Sequence, residues 1–154
     1  MKETIRIADQ LQRSYAGGAW HGPSLRQVLA GVDARRAAAH PVPHAHSIWE
    51  LVLHVTTWNR AVLRRVEGRS VRVSAAENFP KVTDTSAAAW KRAQQALADA
   101  HRALHRAVRR IPDSRLGRKV PGKPQTVYFM LHGLVQHNIY HAGQMALLKK
   151  ARRQ

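Results

Sequence analysis

Four long segments of the chain carry apolar residues three and four positions apart, the spacing that gathers them on one face of an α-helix. Residues that favour helix ends flank each segment. The segments run from about residue 3 to 16, from Ser47 towards Gly68, from a cap at Asp84, Thr85 or Ser86 to Pro112, and from Thr126 towards the C-terminus. This pattern predicts an all-α fold in which four helices each bury one face.

The connections between these segments suggest how the helices are arranged. A short helix is expected after Pro23, whereas the two prolines between His40 and His46 predict an extended segment. Residues 69–84 look irregular, and a connection of this length commonly crosses a bundle or covers a site. We expect a four-helix bundle with one short extra helix and a long crossover between the second and third long helices. At 154 residues, the chain is predicted to form a single domain over 1–154.

Composition excludes several classes of protein and site. The absence of cysteine rules out disulfides, thiolate metal sites and a cysteine nucleophile. No apolar run reaches the roughly 18 residues that a membrane span requires, so a cytoplasmic location is expected. The sequence also lacks a His-Glu-x-x-His motif, a Glu-x-x-His pair, a glycine-rich phosphate loop and a Gly-x-Ser-x-Gly elbow.

The formal charge of +17 raises nucleic acid as a partner. However, 19 of the 26 basic residues are arginines scattered along the whole chain, without the interleaved aromatic residues of a stacking surface. The densest basic runs, Arg109–Lys123 and Lys149–Arg153, fall at or beyond predicted helix C-termini, where cations suit the helix dipole. A solvated basic surface is therefore favoured, and a nucleic-acid-binding module is kept as the alternative function.

Two pairs of histidines are spaced four residues apart, and their neighbours distinguish them. Imidazoles at this spacing leave one helix face about 6 Å apart, close enough to share one cation. His137 and His141 continue the apolar stripe of the last helix, which is formed by Met130, Leu134, Met145 and Leu148. His101 and His105 are instead flanked by Arg102, Arg106 and Arg109, which would repel a cation. We predict that the first pair faces the interior and that the second faces solvent.

A third histidine, His54, lies beside the apolar face of the second long helix. Buried imidazoles need hydrogen bonds or a metal, so the alternative to a metal site is a set of core histidines satisfied by hydrogen bonds. Three ligands from His54, His137 and His141 would leave positions open, as catalytic sites do. Such a set favours zinc, nickel or another borderline divalent ion. No protein base can be assigned from the sequence.

Two segments resemble the DinB-like superfamily: residues 46–58, HSIWELVLHVTTW, and residues 134–144, LVQHNIYHAGQ. The most specific part is a histidine followed by His-x-Gly-Gln on the last helix, and the similarity spans nearly the whole chain. The resemblance implies a four-helix bundle in up-down-down-up order, often dimeric, in which three histidines and water hold one metal. It assigns the metal ligands to His54, His137 and His141.

The same resemblance implies a range of functions. Some members transfer thiols such as bacillithiol or mycothiol, one branch isomerises maleylpyruvate with a thiol, and many have no known reaction. The leading hypothesis is a metal-dependent enzyme that activates water or a low-molecular-weight thiol towards a small-molecule substrate. Asn138 departs from the family, since related sequences often carry an acid there. Glu50 could replace that acid, although its spacing from Ser47 favours a capping role. Tyr140 and Gln144 could contact a ligand or only pack within the bundle.

Overall fold

The computed structural model describes residues 1–151, which form helices and connecting loops without a β-strand. Arg152 and Arg153, part of the C-terminal basic run, lie outside this range. The helices, in chain order, are α1 Glu3–Ala16, α2 Leu25–Leu29, α3 Ala34–Ala38, α4 Ile48–Val66, α5 Ala75–Asn78, α6 Ala87–Arg110 and α7 Val127–Lys150, with a 3-10 turn at Asp113–Arg115. The all-α prediction and the four long helices are therefore confirmed.

Hydrogen bonds at the helix starts explain why the predicted boundaries are correct. The Ser47 hydroxyl accepts from the Glu50 amide at 3.1 Å, and the Glu50 carboxylate accepts from the Ser47 amide at 2.7 Å. This reciprocal pair satisfies two backbone donors that helix geometry leaves without partners. Ser86 caps α6 and Thr126 caps α7 through the hydroxyl alone, which accepts from the Ala89 amide and the Phe129 amide respectively. The capping role of Glu50 is thereby confirmed.

The short helix expected after Pro23 is α2, but the prediction of only one such helix was too low, because the described residues contain two more, α3 and α5. Residues 69–84 are accordingly not irregular throughout. Ser74 and Glu77 form a capping box that starts α5, and Asp33 caps α3. α3 and α5 were missed because α3 has one buried residue and α5 has none, so neither carries an apolar stripe. The three-residue spacing of Ser74 and Glu77, which is typical of a capping box, was the signal in the sequence that could have predicted α5.

The central helix of the structure is α4, which packs against both α6 and α7, while α1 packs against the same two helices. Two groups of buried apolar side chains fill the space between them. One surrounds Trp49 and Trp90, and the other surrounds Leu11 and Leu104. α4 and α7 also carry the three histidines selected from the sequence, so their packing decides whether those side chains meet. Within residues 1–151, no helix combines the length and apolar content needed to cross a membrane.

The prediction that His101 and His105 both face solvent was wrong. His101 is only 2% exposed; its ring stacks on Tyr15 of α1 at 4.1 Å between centroids, and its Nε2 lies 3.1 Å from Gln12 Oε1. The reason is its register, because His101 shares the buried face of α6 with Leu97, Leu104 and Val108. The neighbouring arginines, which suggested a solvent-facing pair, lie on the adjoining face. His105 is half-buried.

The buried position of His101 makes stability depend on pH. Burial, helped by the nearby charges of His105 and Arg102, lowers the pKa of His101 from 6.5 to about 4. Between these values the unfolded chain binds a proton that the folded chain excludes, so the free energy of unfolding falls as the pH drops. A shift of this size corresponds to about 3 kcal/mol, lost between pH 6.5 and pH 4.

We predict that His101→Phe unfolds with a weaker pH dependence across this window, because Phe can stack on Tyr15 without titrating. Urea denaturation at a series of pH values measures the difference, with the exposed His21→Phe as control. Parallel curves for His101→Phe and the parent would contradict the assignment.

Candidate metal centre

Three histidines from α4 and α7 meet in one cluster. His54 Nε2 lies 2.9 Å from His137 Nε2, and the His141 ring centroid is 4.6 Å from that of His54 and 4.4 Å from that of His137. Each ring offers a nitrogen within 4.8 Å of those of the other two. Among residues 1–151 this is the one group of three or more metal-ligating side chains at such distances. The structure thus brings together the three residues selected from the sequence.

An oxygen acceptor faces the Nδ1 atom of every ring in the cluster. His54 Nδ1 lies 2.7 Å from the Asn78 carbonyl oxygen, and His141 Nδ1 lies 2.6 Å from Gln144 Oε1. His137 Nδ1 is 3.4 Å from Asn138 Oδ1. Amide oxygens only accept hydrogen bonds, so these contacts favour the tautomer in which Nδ1 carries the ring proton and Nε2 keeps its lone pair.

The rings are neutral at physiological pH. Burial lowers the pKa of His137 to about 4, with a further contribution from His141. Burial also lowers the pKa values of His54 and His141. In the tautomer that the Nδ1 acceptors favour, the Nε2 lone pairs of His54 and His137 face each other at 2.9 Å, an arrangement that is repulsive unless a proton or a cation lies between them. Neutral imidazole donors of this kind suit a borderline divalent metal, so the residues present fit the metal that the resemblance implies.

The crossover between α4 and α6 covers the cluster. Phe79, next to α5, stacks on the His54 ring at 4.2 Å between centroids, and His46 stacks on the opposite face of Phe79 at 3.8 Å. Asn78 accepts from Trp58 Nε1 at 2.8 Å through its side chain, while its carbonyl faces His54. Sequence reasoning did not identify Asn78 or Phe79 as site residues. The length of the crossover was the only available signal, because a backbone carbonyl has no side-chain signature.

The departure at Asn138 leaves His137 with an acceptor. Asn138 is buried, and its Nδ2 donates to Asn59 Oδ1 at 3.3 Å, which turns its own Oδ1 towards His137 Nδ1. The amide thus lies where the resemblance led us to expect an acid. Glu50 does not take over this role, since its carboxylate is bound to the Ser47 amide and lies beside His40 and His46. Tyr140 is 64% exposed and contacts the His141 ring by its edge.

One cavity borders the cluster directly. It has a volume of about 230 Å³, is bordered by His137, and its wall includes Trp58, Arg65 and Leu134. A second cavity, of about 350 Å³, is bordered by Gln144 and His46 but by none of the three cluster histidines. A small molecule therefore has space directly beside His137.

Comparison with known proteins identifies the family. The model of the DinB superfamily matches residues 9–145, a range that includes all three histidines and most of the chain. The chain belongs to the DinB superfamily. A search of curated proteins and a search of solved structures each found no match. Membership in the DinB superfamily confirms the resemblance seen in residues 46–58 and 134–144, and it agrees with a metal-binding protein.

Gln144 provides a test of how the rings are oriented. Removing a hydrogen-bond partner of a ligand histidine commonly lowers metal affinity about 10- to 100-fold, because the ring is no longer held in its binding orientation. We predict a loss of this size for zinc in Gln144→Leu, measured by competition with a chromophoric chelator. Gln136→Leu changes an exposed glutamine on the same helix and should bind zinc as the parent does. Equal affinities in all three proteins would show that Gln144 does not orient His141.

Proposed function

We propose that this protein is a metal-dependent enzyme in which His54, His137 and His141 hold one divalent metal. The observation that carries the proposal is the convergence of three imidazole rings, each with a nitrogen within 4.8 Å of those of the other two and an oxygen acceptor beside its Nδ1. Zinc and nickel are the favoured ions, because a set of imidazoles without carboxylate suits borderline metals. Within residues 1–151, no Asp or Glu joins the cluster.

The surroundings of the cluster favour chemistry on a small molecule. A divalent metal at this position would supply Lewis acidity, which favours the deprotonated form of water or of a thiol near neutral pH. Phe79 and Trp58 place apolar surface beside the rings and limit the access of water. The cavity beside His137 offers space for a substrate, and the cavity bordered by Gln144 is the space we propose for a low-molecular-weight thiol. The thiol rests on the family resemblance, and no side chain is assigned as a base.

The proposal includes an architecture that matches the family. The four long helices would form an up-down-down-up bundle in a single domain, and two copies would associate as a homodimer. Support for a dimer comes from α7, where Phe129, Tyr140 and Leu147 are each more than 60% exposed although they are large and apolar. Exposed apolar residues on one element are typical of association surfaces. Nucleic-acid binding by the basic surface, and a cytoplasmic location, stay predictions.

The metal content of the purified protein tests this function. We expect about one equivalent of zinc or nickel per chain after a mild chelator wash, and little in His137→Ala, because two imidazoles hold an ion less firmly than three. His132→Ala is the matched control, since it removes a histidine of α7 outside the cluster and should keep the metal. Elemental analysis measures all three.

Activity is then compared between the loaded parent and His137→Ala in thiol-transfer and hydrolysis assays. A reaction lost together with the metal supports an enzyme. Absence of stoichiometric metal from the parent, even after incubation with zinc and nickel, would contradict the proposal.

A further inference from the structure

Arg65 on α4 is a buried cation without a carboxylate partner. Its side chain is held among the helices, and the residue is only 6% exposed. Nη2 donates to the Val71 carbonyl at 2.9 Å, whereas the buried Nε has no acceptor in the described part of the chain. Among residues 1–151, no carboxylate lies within ion-pairing distance of the guanidinium. A charge in such surroundings is costly unless an anion compensates it.

The position of Arg65 connects it to the histidine cluster. Its Cζ lies 5.5 Å from the centre of the Trp58 ring, and that ring lies 6.1 Å from the His137 ring. Arg65 and His137 both border the cavity of about 230 Å³. An anion that reaches Arg65 would therefore share one cavity with the proposed metal ligand.

The remaining walls of this cavity determine what else can bind there. Most are apolar, with Val62, Met130 and Leu134 beside the indole of Trp58, and Gln125 adds an amide. Asp and Glu are absent from its walls in the described part of the chain, so the potential inside is set by the arginine. The volume is below the roughly 300 Å³ at which pockets for drug-sized ligands begin, which favours a small ligand.

We propose that this cavity binds a small organic carboxylate, whose charged group pairs with Arg65 and whose apolar body lies against Trp58 beside His137. This inference deepens the proposed function, on which it rests, by naming the substrate class of the same site. The guanidinium supplies charge-assisted hydrogen bonds to the carboxylate. The indole is already in contact with the guanidinium and offers a flat surface for an aromatic or short aliphatic body.

The test uses 4-fluorobenzoate as the probe and 4-fluorobenzyl alcohol as its uncharged counterpart. Fluorine NMR titrations measure both dissociation constants for the full chain, with and without zinc. The parent should bind the carboxylate at least about tenfold more tightly than the alcohol, because hydrogen bonds to charged groups contribute that much or more. Arg65→Gln should lose about tenfold or more of the carboxylate affinity.

Arg64→Gln is the matched control, because it removes an exposed arginine from the adjacent position of α4 and should keep the parent's affinity. Arg65→Met, an unbranched apolar replacement, repeats the test should the glutamine variant fail to fold, and thermal melts report folding. Equal binding of carboxylate and alcohol by the parent would overturn the proposal. Unchanged carboxylate affinity in a folded Arg65 variant would overturn it as well.

Zinc content is measured on the same samples, so that the two proposals can fail separately. Binding that depends on Arg65 in protein unable to hold zinc supports the anion site while contradicting the metal-dependent function. Stoichiometric zinc, together with carboxylate binding that does not depend on Arg65, gives the opposite result and overturns the anion site alone.

Discussion

The hydrogen bonds at the outer edges of three imidazole rings are the interaction on which the proposed site depends. An acceptor oxygen beside each Nδ1 favours a proton on that atom, which leaves the Nε2 lone pair free, and the three rings each bring a nitrogen within 4.8 Å of the others. Without these acceptors the rings could rotate or donate to each other, and the cluster would be an ordinary set of buried polar groups. The acceptors come from three different sources: the backbone of Asn78, the neighbouring Asn138, and Gln144 one turn along α7.

The rest of the fold places those acceptors. Capping hydrogen bonds start α4 at Ser47, and the packing of α4 against α7 brings His54 to His137 and His141. The short helix α5 brings the Asn78 carbonyl to the far edge of the His54 ring, and Phe79 then covers the face of that ring. The segment containing Asn78 and Phe79 therefore orients the proposed metal ligand His54 and shields its ring from water. Asn78 also binds Trp58, which borders the same cavity as Arg65. The metal site and the proposed anion site consequently share a wall.

Sequence patterns predicted the parts of this arrangement that depend on helix geometry. The four-residue spacing of His137 and His141 places both on one face, and the apolar neighbours of His54 direct it inward, so their meeting followed from amphipathicity together with the resemblance. Tertiary contacts that periodicity does not encode were missed. Arginines near His101 suggested a solvent-facing pair, although its register with Leu104 buries it against α1. The burial of Arg65 was not predicted either, because arginine is usually exposed and here lies among the buried residues of α4.

The central claim is that the three Nε2 atoms, with each Nδ1 still bound to its acceptor, form one metal site. An anomalous difference map at the zinc edge, from crystals of the zinc-loaded protein, tests this most directly. We expect one strong peak within bonding distance of Nε2 of His54, His137 and His141, with the Asn78 carbonyl and Gln144 Oε1 still facing the Nδ1 atoms of His54 and His141. Zinc bound through an Nδ1 atom, or a strong peak elsewhere with none between these rings, would contradict the account.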